Sequence, residues 1–289
     1  MRERRSNRIA ILGTGLIGGS IGLAARAAGY SVEGWDTDRH ALRTAKRRGA
    51  IDHAAKSLEA AVADKNIVVL AAPLDAILKQ LPAVFSYATS GALIIDCAGV
   101  KMPVVQHAVR MLKRWPAVRF VAGHPIAGSE RSGAKAASAS LLKERVFALY
   151  APPQRKRAEA WSDSKRFARR IGMEPFRADP RMHDRAIAGL SALPQLAATA
   201  LALSAAPHAP RAWARIAGPG YRDATRLAAS HFSIWRPGLE ANRREVLRSI
   251  ERLAKRVHGI ETALRRRDWQ TLMRIFSGAA KARRRVYPN

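Results

Sequence analysis

An α/β domain with a doubly wound, mostly parallel sheet, followed by an all-α domain, is the fold that the sequence predicts. Three observations carry it. Up to about residue 180, short apolar runs alternate with segments of helical length. Beyond Pro180 the strand patterns stop and Ala-, Leu- and Arg-rich helical spacing takes over. A glycine-rich turn joins the first apolar run to the first helical segment. These place one domain at 1–180 and a helical one at 181–289.

The predicted strands are Arg8–Leu12, Ser31–Asp36, Ile67–Ala71, Ala92–Asp96, Arg119–Ala122 and Val146–Tyr150, each bounded by Gly, Pro, Asp or Ser. Between them, Leu16–Ala28 and Arg39–Arg48 read as helices, stopped by Gly29 and Gly49. Strands alternating with helices make βαβ units. In the second part, His183–Ser204, Ala212–Ala217, Tyr221–Ala229, Gly238–His258 and Ile260–Arg285 read as helices. Leu239, Val246, Leu247, Ile250 and Leu253 share one face, a wide apolar stripe of the kind completed across a homodimer interface.

The chain has 289 residues, 51 Lys plus Arg against 22 Asp plus Glu, and a net charge of +29. Such a charge invites a nucleic-acid partner. However, the excess is spread, with 22 basic and 11 acidic residues in 1–150 and 29 and 11 in 151–289. Aromatics are 6%, too few to interleave the basic residues with a stacking platform. The charge reads as an Arg-rich solvated surface, and nucleic acid as a partner is disfavoured. The lone cysteine, Cys97, reads as a small buried hydrophobe and implies a reducing, cytoplasmic setting. No secretory leader and no run of about 18 uninterrupted apolar residues is read, so no membrane is expected. No His/Cys/carboxylate grouping has metal-ligand spacing.

Gly13, Gly15 and Gly18 form G-x-G-x-x-G, after a strand and opening a helix that includes Leu16 and Ile17. This is the Rossmann dinucleotide fingerprint. Gly13 makes the tight turn, Gly15 leaves room for a pyrophosphate, and Gly18 lets helix and strand pack closely. The helix N-terminus adds unpaired N–H groups. Asp36, 18 residues after Gly18, is placed to accept from the ribose hydroxyls and repels a 2′-phosphate, which favours NAD over NADP despite nearby Arg39. Ligands of such sheets bind beyond the strands' carboxyl ends. Three motifs fall there: Ala71-Ala72-Pro73, Asp96-Cys97-Ala98-Gly99-Val100-Lys101, and Gly123-His124-Pro125-Ile126-Ala127-Gly128-Ser129-Glu130. His124 is the general-base candidate, since imidazole titrates near working pH.

These motifs, with His183-Asp184-Arg185, Ser191-Ala192-Leu193-Pro194, Gly220 to Arg226 and Ser230 to Trp235, resemble the prephenate dehydrogenase family over nearly the whole chain. That family includes the arogenate and cyclohexadienyl dehydrogenases of tyrosine biosynthesis, and the resemblance is to a monofunctional form. It implies NAD-dependent oxidative decarboxylation of prephenate, with arogenate as the alternative substrate. It places His124 at the substrate 4-hydroxyl, Arg226 at a substrate carboxylate and Trp235 near the substrate; Asp223, three residues before Arg226 on the same helical face, is spaced to orient Arg226 or the local loop. Ala72 and Pro73, at a strand end, are candidates to line the cofactor, and Lys101 is read as supporting the Asp96 loop or lying near the substrate, with no step assigned to it.

Two departures stand out. Gly99 occupies a position where the family often has a serine near the catalytic histidine. Ser191 to Gln195 stands where the family commonly reads S-H-L-P-H, so Gln195 replaces an imidazole with a neutral amide. Two other readings remain. One is a β-hydroxyacid dehydrogenase of similar plan, disfavoured because the helical half shows no matching lysine motif. The other is a basic binding protein motivated by charge alone.

Overall fold

A computed structural model describes residues 7–129, 131–205 and 214–287. Its centre is an eight-stranded sheet: β1 Arg8–Leu12, β2 Ser31–Trp35, β3 His53–Ala54, β4 Ile67–Leu70, β5 Leu93–Asp96, β6 Arg119–Pro125, β7 Val146–Tyr150 and β8 Glu174–Arg177. The spatial order is β3-β2-β1-β4-β5-β6-β7-β8. The first six are parallel. β7 runs antiparallel to β6, with His124 opposite Ala148, and β8 is parallel to β7. The sheet is thus mostly parallel, with its chain order reversing between β1 and β4.

Alternation along the strands builds two cores, one on each face. Ile9, Ile11, Val69, Ile95 and Val121 pack on one side with Phe147 and Phe167. Ala10, Leu12, Val68, Leu70 and Ile94 pack on the other with Phe85 and Phe120. Helices α1 Leu16–Ala27, α2 Arg39–Arg47, α3 Leu58–Val62, α4 Leu74–Tyr87, α5 Met102–Arg114 and α6 Arg157–Arg170 flank these faces. β3 and β8 fall outside the six predicted strands. β3 has two exposed residues and no apolar run. β8, Glu-Pro-Phe-Arg, carries a proline that an edge position tolerates.

The helical half begins where Asp179 caps α7 Pro180–Ile187, accepting from the N–H groups of Arg181 and Met182. A π-helical turn, Ala188–Ala192, joins α7 to α8 Leu193–Ala205. The predicted single helix His183–Ser204 is therefore a rod with one wide turn. By length and composition the rod Pro180–Ala205 could cross a membrane. A count of uninterrupted apolar residues missed this. Its buried His183 and Asp184, hydrogen-bonded to the sheet domain, make it a helix of the fold.

Next come α9 Pro219–Thr225, a 3₁₀ turn Arg226–Ala229, α10 Phe232–Ala241, α11 Arg243–Arg265 and α12 Trp269–Val286. The predicted helix Ala212–Ala217 falls partly outside the described residues. α11 runs through Gly259, where the sequence suggested a break. One glycine costs a helix only about 1 kcal/mol. The chain turns instead at Arg267, whose φ is 54°, and Asp268 caps α12.

This half has a small core of Ala188, Ala192 and Val246 against Leu196, Trp235 and Leu239. Leu203, Phe232, Trp269, Met273 and Phe276 lie exposed. Of the stripe on α11, Val246 is buried while Leu247 and Ile250 face outward in the single chain.

Candidate active site

The three predicted glycines behave as their spacing requires. Gly13 has φ 93°, and a Cβ there would meet the Ala71 carbonyl carbon at 2.7 Å. A Cβ on Gly18 would meet the Gly13 carbonyl oxygen at 1.9 Å, so helix and turn touch directly. A Cβ on Gly15 would meet nothing within 4 Å among the described residues. That open side, at the start of α1, is the space a pyrophosphate needs. Asp36 ends β2. Its carboxylate accepts from Thr14 N at 2.6 Å, Thr14 Oγ1 at 3.0 Å and Asp38 N at 2.9 Å. It therefore pins the glycine turn to β2 and keeps acceptor capacity on Oδ1.

A cleft of 680 Å³ opens beyond the strands' carboxyl ends, where sheet and helical half meet. Ile17, Ala72 and Pro73 line its dinucleotide side, Trp235 and Asn242 its helical side, and Gly99 and His124 its floor. The structure thus brings His124, Gly99, Trp235, Ile17, Ala72 and Pro73 together, with Cys97 among them. Burial pushes the Cys97 thiol up from its ordinary value, so it offers no thiolate.

His124 stands at the end of β6, held by an interlocked set of groups. Its Nδ1 lies 2.9 Å from His183 Nε2, and His183 Nδ1 lies 2.9 Å from Asp184 Oδ1. The Asp184 carboxylate also accepts from the Lys101 N–H at 2.7 Å and the Met102 N–H at 2.8 Å, at the start of α5. Asn242 donates to the Asp184 carbonyl at 2.7 Å. The proton assignment follows. A carboxylate already accepting two N–H groups takes a third from His183 Nδ1. With the His183 ring neutral, its Nε2 is an acceptor, so His124 carries its proton on Nδ1 and its Nε2 lone pair is free.

The position of a Cβ on Gly99 is 3.8 Å from His124 Nε2, so this nitrogen faces the residue-99 side of the cleft. Burial, then the Lys101 charge, then His183 hold the His124 imidazole well below its ordinary 6.5. A neutral, correctly protonated imidazole at a cleft is equipped to accept a proton.

The remaining candidates lie apart from this cleft. Arg226 is exposed on the 3₁₀ turn and is not part of the cleft lining. Asp223 lies 3.7 Å from Arg222, not against Arg226. Gln195 is buried in α8 and donates to the Leu227 carbonyl at 2.9 Å, while its Oε1 has no partner among the described residues. It thereby holds the turn that carries Arg226. His183 and Asp184 were legible as a motif but not as partners of His124, because the contact spans 59 residues.

The sequence matches the domain "Prephenate dehydrogenase, nucleotide-binding domain" over residues 21–174 and "Prephenate dehydrogenase, dimerization domain" over 179–278. The chain belongs to the prephenate dehydrogenase family. It is a dehydrogenase of that family, with its nucleotide-binding half on the sheet.

The prephenate dehydrogenase of Bacillus subtilis is 30% identical over 286 residues, covering 96% of this chain and 75% of that protein. The cyclohexadienyl dehydrogenase of Zymomonas mobilis is 26% identical over 280 residues, covering 95% and 94%. A prephenate dehydrogenase from A. aeolicus, solved with hydroxyphenyl propionate and NAD+, superposes with a TM-score of 0.84 at 23% identity, over 97% of this chain and 98% of that one. The last likeness speaks to the fold: a Rossmann-type sheet domain followed by a helical domain.

Proposed function

We propose that this dehydrogenase oxidatively decarboxylates prephenate to 4-hydroxyphenylpyruvate with NAD, in tyrosine biosynthesis. The observation that carries the reading is the free Nε2 of a neutral, oriented His124 in a cleft continuous with the glycine turn. NAD, when bound, supplies the hydride acceptor. The open side of Gly15, the start of α1 and the remaining acceptor site on Asp36 suit its pyrophosphate and ribose. Carboxylate repulsion of a 2′-phosphate supports NAD over NADP.

His124 Nε2 accepts the proton of the substrate 4-hydroxyl as the ring carbon bearing it is oxidised. Carbon dioxide leaves the quaternary ring carbon, and aromatisation drives the step. The chain's work is to orient the ring and take one proton. Trp235 supplies an apolar wall to the ring, and Gly99 leaves space beside the base. Arg226 is assigned to a substrate carboxylate on its place in the family motif, which its guanidinium chemistry suits, with Gln195 holding its turn and Asp223 on the neighbouring helix. The domains are assigned to 1–180 and 181–289, with a cytoplasmic homodimer formed through the helical half. The exposed Trp269, Met273 and Phe276 support that assembly.

The test is NAD reduction with prephenate and with arogenate, each repeated with NADP. Prephenate with NAD is expected to give the highest kcat/KM. Arogenate is the second substrate to assay because Gln195 is neutral. If neither substrate reduces either cofactor, the reading fails.

A further inference from the structure

Lys101 is buried at 2% exposure, yet its position in the family motif gives it no step. Its ammonium donates to Asp96 Oδ2 and to the Gly123 carbonyl, the residue immediately before His124. Asp96, fully buried, accepts in addition from Gly123 N at 3.0 Å and Ala98 N at 2.9 Å. Burial pushes the Asp96 carboxyl up, and the adjacent Lys101 opposes that push. The backbone N–H of Lys101 meanwhile holds Asp184, which also accepts from Met102 N–H and contacts His183. One residue therefore grips His124 from both sides. Its side chain fixes the strand from behind, and its backbone fixes the relay in front.

We propose that Lys101 is a positioning residue which locks His124 between sheet and helical half and whose buried positive charge opposes a second positive charge on that ring. The proposal rests on His124 being the base. It explains why a costly buried ion pair sits just behind the cleft, when an apolar pair would give equal stability. Other charges around His124 do not substitute for it. From the end of β5 and the residue after it come Asp96 and Cys97, and from α7 come His183 and Asp184, the latter compensated by two N–H groups. On the outer side Arg177, Asp179, Arg283 and Tyr287 line the neighbouring groove with His124. The opposite signs of Asp179 and the arginines partly cancel there.

The variants are Lys101→Gln, which keeps a donor and removes the charge, and Lys101→Arg, which keeps the charge. Two readouts are taken: the acidic limb of the kcat/KM–pH profile, and direct NMR titration of the His124 ring without substrate. The His124 signal is identified by its loss in His124→Asn. In Lys101→Gln both readouts are expected to move up by about one unit, the low end for a charge at close range. In Lys101→Arg they stay at the wild-type position even if the rate falls. If Lys101→Gln does not fold, the double variant Asp96→Asn/Lys101→Gln replaces it with the same expected direction. A His124 titration in the neutral variant that coincides with wild type overturns the proposal. Because the NMR readout needs no turnover, failure of the dehydrogenase reading is distinguishable from failure of this one.

Discussion

His124 Nδ1 and His183 Nε2 meet at 2.9 Å, so sheet domain and helical domain share a hydrogen bond at the proposed base. His183 is buried and its far nitrogen is fixed by Asp184, which leaves one proton arrangement for the pair when both rings are neutral. Replacing His183 by Leu frees the ring of His124 to rotate and to change tautomer. The expected result is a fall in kcat of about 10²-fold or more, on the scale of positioning losses, with little change in dinucleotide affinity. Stopped-flow NAD reduction and fluorescence titration separate the two. An unchanged kcat removes His183 from the machinery.

His124→Asn removes the proton acceptor and keeps a similar volume. Turnover is expected to drop by roughly 10²- to 10⁴-fold, the usual worth of a general base. NAD binding, which depends on Gly13 to Gly18 and Asp36, should persist. Wild-type turnover in this variant would end the general-base assignment.

The pH dependence has a definite sign. The active form of His124 is neutral, and its protonation is pushed well below 6.5 by burial and by Lys101. Activity is therefore retained as pH falls through 6.5 and declines only at lower pH. The same depression means that the unfolded chain binds a proton more readily than the folded one in that window. Stability attributable to this group consequently falls as pH drops below 6.5. Urea midpoints at two pH values, compared between wild type and His124→Asn, check it: the variant should show the smaller pH effect.

Gly99→Ser is the conservative probe of the cleft floor. Its Cβ would fit at an ordinary 3.8 Å from His124 Nε2, so no backbone movement is needed. The added hydroxyl comes within reach of Nε2 or of the substrate hydroxyl. A change in kcat of several-fold with an unchanged melting temperature is expected, since one neutral hydrogen bond is worth about 1 kcal/mol. By contrast Gly18→Ala, with its Cβ 1.9 Å from the Gly13 oxygen, should destabilise the sheet domain and weaken NAD together.

Arg226→Ala tests the carboxylate assignment directly. Loss of a charged pair to the substrate should raise KM with modest change in kcat, at a cost of about 1.5–3 kcal/mol. A KM indistinguishable from wild type would place the carboxylate elsewhere.

How much of this was legible in the sequence follows from how local each signal is. The glycine turn, Asp36 and His124 are strand-end features whose neighbours lie within a few residues, so spacing alone could put them at the carboxyl edge of the sheet. The relay through His183 and Asp184 joins residues 59 and more apart, and no periodicity encodes that distance. β3 and β8 escaped because an edge strand needs neither a long apolar run nor freedom from proline. Lys101 was visible as a motif letter, but only its burial beside Asp96 reveals what its charge does. Arg226, prominent in the motif, lies exposed in the single chain, and side-chain direction is not a property that spacing reports.

The π-helical turn at Ala188–Ala192 has a consequence for any attempt to redesign this rod. Each α-helical residue advances the azimuth by about 100°, and a wide turn inserts one residue without adding a full step of rise. Deleting a residue there would restore the regular winding and leave the azimuth of α8 nearly as it is, because the wide turn already absorbs the extra step. Gln195 would then keep its approach to the Leu227 carbonyl while His183, upstream, kept its place. Single-residue deletions along 188–192 should thus be better tolerated than deletions in the regular turns of α7 or α8, where a phase error of about 100° would part the turn bearing Arg226 from the imidazole pair.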